Sequence, residues 1–164
     1  MIIERILGNI HQEIVQGFEV DKVELEWFNA FRRIHRFETK QGEVFAVRLK
    51  QNKGLNDGDI LFKEKGRIII VCIVPVVTLC VRLEGLCAVA GLCYELGNLH
   101  TALFFLPQNM EFQIPFQAHL QKVLERLNLS FEKKMCILNS KDRLMIANTL
   151  KMDLNCEISM RSKK

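Results

Sequence analysis

At Pro75 the chain changes rhythm, and that change constrains its fold more than any other feature of the sequence. Before it the segments are short and extended: IIERIL, VELEWF, RIHRFET, EVFAVRL, DILFKEK and RIIIVCI, with Val23, Leu25 and Trp27 alternating against charged neighbours. Successive side chains on a strand point to opposite faces, so a period of two marks half-buried strands. Gly42, the Asn56-Asp57-Gly58 run and Lys65-Gly66 separate these segments and supply the tolerance of positive φ that tight turns need. About six closely spaced strands predict a small antiparallel sandwich or barrel over residues 1–74.

Beyond Pro75 strands alternate with helices. VVTLCVRLE reads as a strand, and LCAVAGLCYEL sets Leu86, Val89, Ala90, Cys93 and Leu96 at helical spacing, with Gly97-Asn98 as the expected stop. LHTALFF and MEFQI read as strands around a Pro107-Gln108-Asn109 turn, FQAHLQKVLERLN as an amphipathic helix carrying Leu120, Val123, Leu124 and Leu127, and FEKKMCIL as a last strand. Strand, helix, strand, strand, helix, strand is the ferredoxin-like βαββαβ order. The fold class expected is therefore α+β: an N-terminal β domain at 1–74, a ferredoxin-like domain at 75–148 and a tail at 149–164. Two helices cover one face of such a sheet, and strands as apolar as TALFF need cover on the other, from a partner domain or a second copy. In the tail Met152, Leu154, Cys156, Ile158 and Met160 alternate with Asp153, Asn155, Glu157 and Ser159, the pattern of an extended segment that docks one face.

Composition narrows the function. At 49% hydrophobic and 26% charged over 164 residues, the chain is an ordinary globular protein of one medium or two small domains. Its longest apolar run, Ile68–Val81, contains Pro75 and spans about 14 residues, short of a membrane crossing. Glu4 and Arg5 interrupt what would be the apolar core of a secretory signal, which predicts a cytoplasmic protein. A net charge of +4, much of it in Arg161, Lys163 and Lys164, argues against nucleic-acid binding, and the Arg32-Arg33 and Lys133-Lys134 pairs are isolated. The six cysteines form no Cys-x-x-Cys spacing and read as mostly buried thiols. There is no Gly-rich phosphate loop, no G-x-S-x-G elbow and no H-E-x-x-H, and the acidic residues form no convincing acid/base pair, so no enzyme is predicted.

Four histidines remain: His11, His35, His100 and His119. His11 in a polar loop and His35 in a basic strand are expected at the surface. His100 follows the helix stop, at a rim that is exposed and still rigid. A neutral imidazole is a borderline-soft donor suited to nickel, copper or zinc. Spacing alone leaves His100 open as a ligand or as a structural residue.

The segment CYELGNLH (Cys93–His100) followed by TALFF resembles the G-N-x-H signature of the urease accessory protein UreE family, the nickel metallochaperones of urease assembly. The opening MIIERILGNI, VELEWF, LNDGDILFKEKGRIIIV and EFQIPF resemble the family at corresponding places, and the likeness covers about residues 1–148. It implies a β domain described as peptide-binding, joined to a ferredoxin-like metal-binding domain that forms a homodimer. It further implies that His100 binds Ni²⁺ at the dimer axis, one imidazole from each subunit, with Cu²⁺ or Zn²⁺ able to bind as well. A two-fold axis doubles one ligand without a second motif. The remaining ligands would be water, His119, Cys156 or Met152. The implied partners are the accessory GTPase UreG and the urease assembly complex. The alternative is a scaffold that docks assembly proteins without holding metal. Two departures stand out: no histidine follows His119, whereas many members end in a histidine-rich tail, and Leu99 stands where the signature often has arginine.

Overall fold

The computed structural model describes residues 2–39, 41–50 and 54–144, which form eleven strands and two α-helices in three sheets. The first seven strands are β1 (Ile2–Ile3), β2 (Gly8–Asn9), β3 (Glu19–Leu25), β4 (Ile34–Glu38), β5 (Val44–Arg48), β6 (Asp59–Glu64) and β7 (Arg67–Ile73). They make a three-stranded sheet in the order β1-β5-β4 and a four-stranded sheet in the order β2-β6-β7-β3. Alternation decides which residues meet: Val23 and Leu25, Phe37, Phe45 and Val47, and Ile69 and Val71 point into one shared core. The RIIIV run does not alternate because both of its faces are covered. Ile68 and Ile70, with Ile60, pack under Ile10, Val15 and Phe18. Lys65 and Gly66, both at positive φ (51° and 79°), form the β6–β7 turn as a two-residue hairpin requires.

The pairing corrects the expectation of an antiparallel domain in two places. Hairpins β4–β5 and β6–β7 are antiparallel, but β1 lies parallel to β5 and β3 parallel to β7. Short turns force antiparallel neighbours, whereas β1 and β3 reach their partners past intervening strands, and a long connection permits either direction. Trp27 likewise leaves the expected alternation: β3 ends at Leu25, and residues 27–31 turn away from the sheet.

After Pro75 come β8 (Val76–Arg82), α1 (Leu86–Asn98), β9 (Phe104–Leu106), β10 (Glu111–Pro115), α2 (Ala118–Arg126) and β11 (Glu132–Cys136). The third sheet has the order β11-β8-β10-β9 with every pair antiparallel, the ferredoxin-like arrangement. Leu79, Val81, Phe112 and Ile114 on one face pack against Leu92 and Leu96 of α1 and Leu120 and Leu124 of α2. The other face is buried too, at Thr78, Cys80, Glu111, Gln113 and Phe104. The first part of the chain contributes to that cover: the Trp27 ring meets Phe104 edge-on at 5.7 Å, and Phe31 lies 6.4 Å from it.

A strap after β11 ties the two parts together. The Asp57 N–H donates to Asn139 Oδ1 at 2.8 Å, Ser140 Oγ donates to the Leu55 carbonyl at 2.7 Å, and the Lys141 N–H donates to Asn56 Oδ1 at 2.9 Å. Arg143 then lies 4.2 Å over the Phe31 ring, and the Leu144 N–H bonds the Leu103 carbonyl at 2.8 Å. Gly54 must be glycine here: its φ is +68°, and a Cβ would sit 2.6 Å from Ser140 Oγ and 2.8 Å from the Ala30 carbonyl.

Candidate functional site

Helix α1 ends at Asn98, so the expected Gly97-Asn98 stop is its last pair of residues. The left-handed residue that ends the helix is His100, with φ 52°. The His100 N–H donates to the Gly97 carbonyl at 3.0 Å and the Thr101 N–H to the Leu96 carbonyl at 3.1 Å. These paired bonds satisfy the orphan carbonyls of the last turn, in a motif whose left-handed position usually carries glycine. Helix α2 closes the same way with Asn128 (φ 53°), a residue that tolerates the left-handed region better than histidine. His100 thus occupies a strained but fixed position, and its side chain is exposed.

The helix leading to it is divided lengthwise. Leu92 and Leu96, with Ala88, Val89 and Cys93 beside them, face the core. Cys87, Ala90, Gly91, Tyr94 and Gly97 lie on an exposed face at helical spacing. Tyr94 is 70% exposed, Leu86 84% and Leu99 45%. A Cβ built on Gly91 or Gly97 meets nothing within 4 Å, so the face is open. Leu99, the departure from the signature, therefore adds an apolar side chain beside the imidazole.

The other histidines fall elsewhere. His119, the second residue of α2, is exposed; α1 ends and α2 begins at the end of the sheet where β8 starts, so His119 and His100 share that end. His11 is exposed as expected, with Nε2 3.1 Å from Asp57 Oδ2. His35 corrects the surface expectation: only 7% exposed, it bonds the Arg32 carbonyl through Nε2 at 2.8 Å and stacks on Phe37. Burial pushes its imidazole below the usual histidine range. The signal was present in the strand, since His35 is two residues from inward-facing Phe37 on alternating β4.

Among the described residues no three His, Cys, Asp or Glu side chains converge as a metal cluster. Cys80 is buried, and burial followed by the neighbouring Cys136 thiol pushes it up to about 12, so it stays protonated. Cys72, Cys93 and Cys136 are half-buried and Cys87 is exposed. Met152 and Cys156, the tail ligands considered from sequence, lie outside the described residues.

Fold and site together define a class: a two-part α+β protein presenting an exposed imidazole on a rigid helix end, beside an open apolar helix face. A family model described as the N-terminal domain of UreE urease accessory protein matches residues 3–74. The urease accessory protein UreE of Helicobacter hepaticus is 41% identical over 148 residues, covering 89% of this chain and 85% of that one. The urease accessory protein UreE of Helicobacter pylori strain Shi470 is 41% identical over 149 residues, covering 90% and 88%. The chain belongs to the urease accessory protein UreE family. No helix among the described residues is long and apolar enough to cross a membrane.

Proposed function

We propose that this protein is a cytoplasmic homodimeric metallochaperone that binds Ni²⁺ between two copies of His100 and donates it during urease metallocentre assembly, with the GTPase UreG as its partner. The observation that carries the reading is His100 itself, an exposed imidazole held at a left-handed helix end next to Tyr94, Leu99 and the open face of α1. A residue kept only for helix termination would be better served by glycine, which adopts that conformation without a steric cost. The apolar face beside it suits a second copy, and a two-fold axis there brings two imidazoles together.

Two imidazoles leave the coordination shell incomplete, so water, His119, Cys156 or Met152 completes it. Few protein ligands suit a carrier, because an ion in an open shell passes to an acceptor without leaving a closed cage. By the Irving–Williams order Cu²⁺ binds such a site more tightly than Ni²⁺, and Zn²⁺ also fits, so metal supply and the docking partner set selectivity. The protein makes and breaks no covalent bond in this role.

Isothermal titration with Ni²⁺, run beside sedimentation to give the oligomeric state, tests the proposal. One ion per dimer, abolished in His100→Ala while the dimer persists, is the expected result. Undiminished binding in that variant, or a strictly monomeric wild type, overturns it, and a dimer that takes up no nickel leaves a protein-docking scaffold.

A further inference from the structure

Two thiols touch within the third sheet. Cys80 Sγ of β8 lies 3.6 Å from Cys136 Sγ, at the end of the neighbouring strand β11. Cys80 is 5% exposed, whereas Cys136 is half-buried on a strand that ends the sheet, so the pair is reached from the Cys136 side. The surroundings are polar. Glu111, with a side chain only 4% exposed, accepts hydrogen bonds from Arg82, Lys134 and Gln113. The Lys134 ammonium stands close enough to favour an ionised Cys80, while Glu111 acts in the opposite sense.

We propose that Cys80 and Cys136 form a binding site for a soft monovalent metal ion, Cu⁺, held between two thiolates. Sulfur ligands select soft ions such as Cu⁺ over hard ones. The number of donors selects further. A structural Zn²⁺ takes four ligands, and among the described residues no third His, Cys, Asp or Glu joins the pair. Glu111 is already engaged at both oxygens, Oε1 by Gln113 and Oε2 by Arg82 and Lys134. Two sulfurs alone suffice for Cu⁺, which is stable in two-coordinate form.

The geometry asks for little movement. With metal–sulfur bonds of about 2.3 Å, two sulfurs on one ion lie up to roughly 4.6 Å apart, so thiols at 3.6 Å part by about 1 Å at most. Binding follows Cu⁺ + 2 RSH → [Cu(SR)₂]⁻ + 2 H⁺: two S–H bonds break, two Cu–S bonds form, and copper keeps its oxidation state, so no oxidant is required. The complex is an anion, and Lys134 is the cation beside it. Burial holds Cys80 protonated in the free protein, so the metal displaces protons and binds more tightly as pH rises. The inference is independent of His100 and of nickel: an imidazole suits a borderline divalent ion, and a thiolate pair suits Cu⁺.

Anaerobic titration of the reduced, full-length protein with Cu⁺, in competition with a chromogenic Cu⁺ chelator, is the test. The wild type is expected to withhold one ion per chain from the chelator, with a sulfur-to-copper charge-transfer absorption and the release of two protons. Cys136→Ser and Cys80→Ala should each abolish that retention, with the circular dichroism of the fold unchanged. His100→Ala, Cys87→Ser and Cys156→Ser should keep it. A wild type that yields every ion to the chelator overturns the proposal. Retention that survives both Cys80→Ala and Cys136→Ser, or that is lost equally in Cys87→Ser or Cys156→Ser, overturns it as well. Should Cys80→Ala fail to fold, Cys136→Ser at its half-buried position decides the matter alone.

Discussion

The two parts of the molecule solve the same problem, an apolar sheet needing cover, in different ways. The first seven strands fold two sheets against each other and roof the second face of the larger one with Ile10, Val15 and Phe18, so that part covers itself. The third sheet makes helices for one face, and on the other buries Phe104 against Trp27 and Phe31 from before Pro75. A part that covers itself leaves exposed backbone at its sheet edges, among the described residues β1 and β4 in one sheet and β2 and β3 in the other. A part built from helices and strands has helix ends and helix flanks to present, and His100 and the open side of α1 are of that kind. The difference explains why one chain presents two unlike kinds of exposed feature, strand edges in one part and a helix end in the other.

The comparison breaks most readily at the seam. Phe104 is fully buried among aromatic rings from the other part, so Phe104→Ala should cost about 3–5 kcal/mol of unfolding free energy in urea titration. A single transition at lower urea would show that the two parts unfold together. Two separated transitions would show that the first part stands without the second, sharpening the contrast drawn above.

A smaller effect of opposite sign is expected at the helix end. His100→Gly relieves a left-handed histidine and should stabilise the protein by roughly 1 kcal/mol, read as a raised midpoint, while removing the proposed nickel ligand. A variant no more stable than the wild type would mean that the imidazole makes compensating contacts.

The smallest effect lies inside the first part. Burial holds the folded-state pKa of His35 below the ordinary 6.5, so the unfolded chain binds its proton first as pH falls. Its contribution to stability is full above about pH 6.5 and is lost as pH drops through the lower folded value. Stability measured from pH 7.5 to 5 should fall less steeply in His35→Gln than in the wild type.

Much of this was legible from side-chain periodicity. The βαββαβ order after Pro75 follows from a change of period, and the six extended segments before it all contain strands. The places that misled are those where a residue's environment comes from far along the chain. His35 sits between charged neighbours yet points inward, because a strand sends alternate residues to opposite faces whatever their neighbours are. Gly97-Asn98 does close α1, but which residue takes the left-handed position was not legible, because it is set by the bond from Thr101 to the carbonyl of core-packed Leu96, which puts His100 there. Parallel pairing of β1 and β3 could not be read from local pattern, since alternation specifies which face is buried and not which neighbour runs beside it.

The sequence by itself determined the period of each segment, the break at Pro75, the absence of a familiar catalytic motif and the family resemblance carried by CYELGNLH, because these depend only on the order of residue types. Tertiary structure alone decided which rings cover Phe104, that the last described residues strap Leu55–Asp57 to Leu103, and that the β3 and β4 edges, unpaired among the described residues, border the same hollows. Those outcomes depend on contacts between residues tens of positions apart, and such contacts are set by packing the whole chain at once.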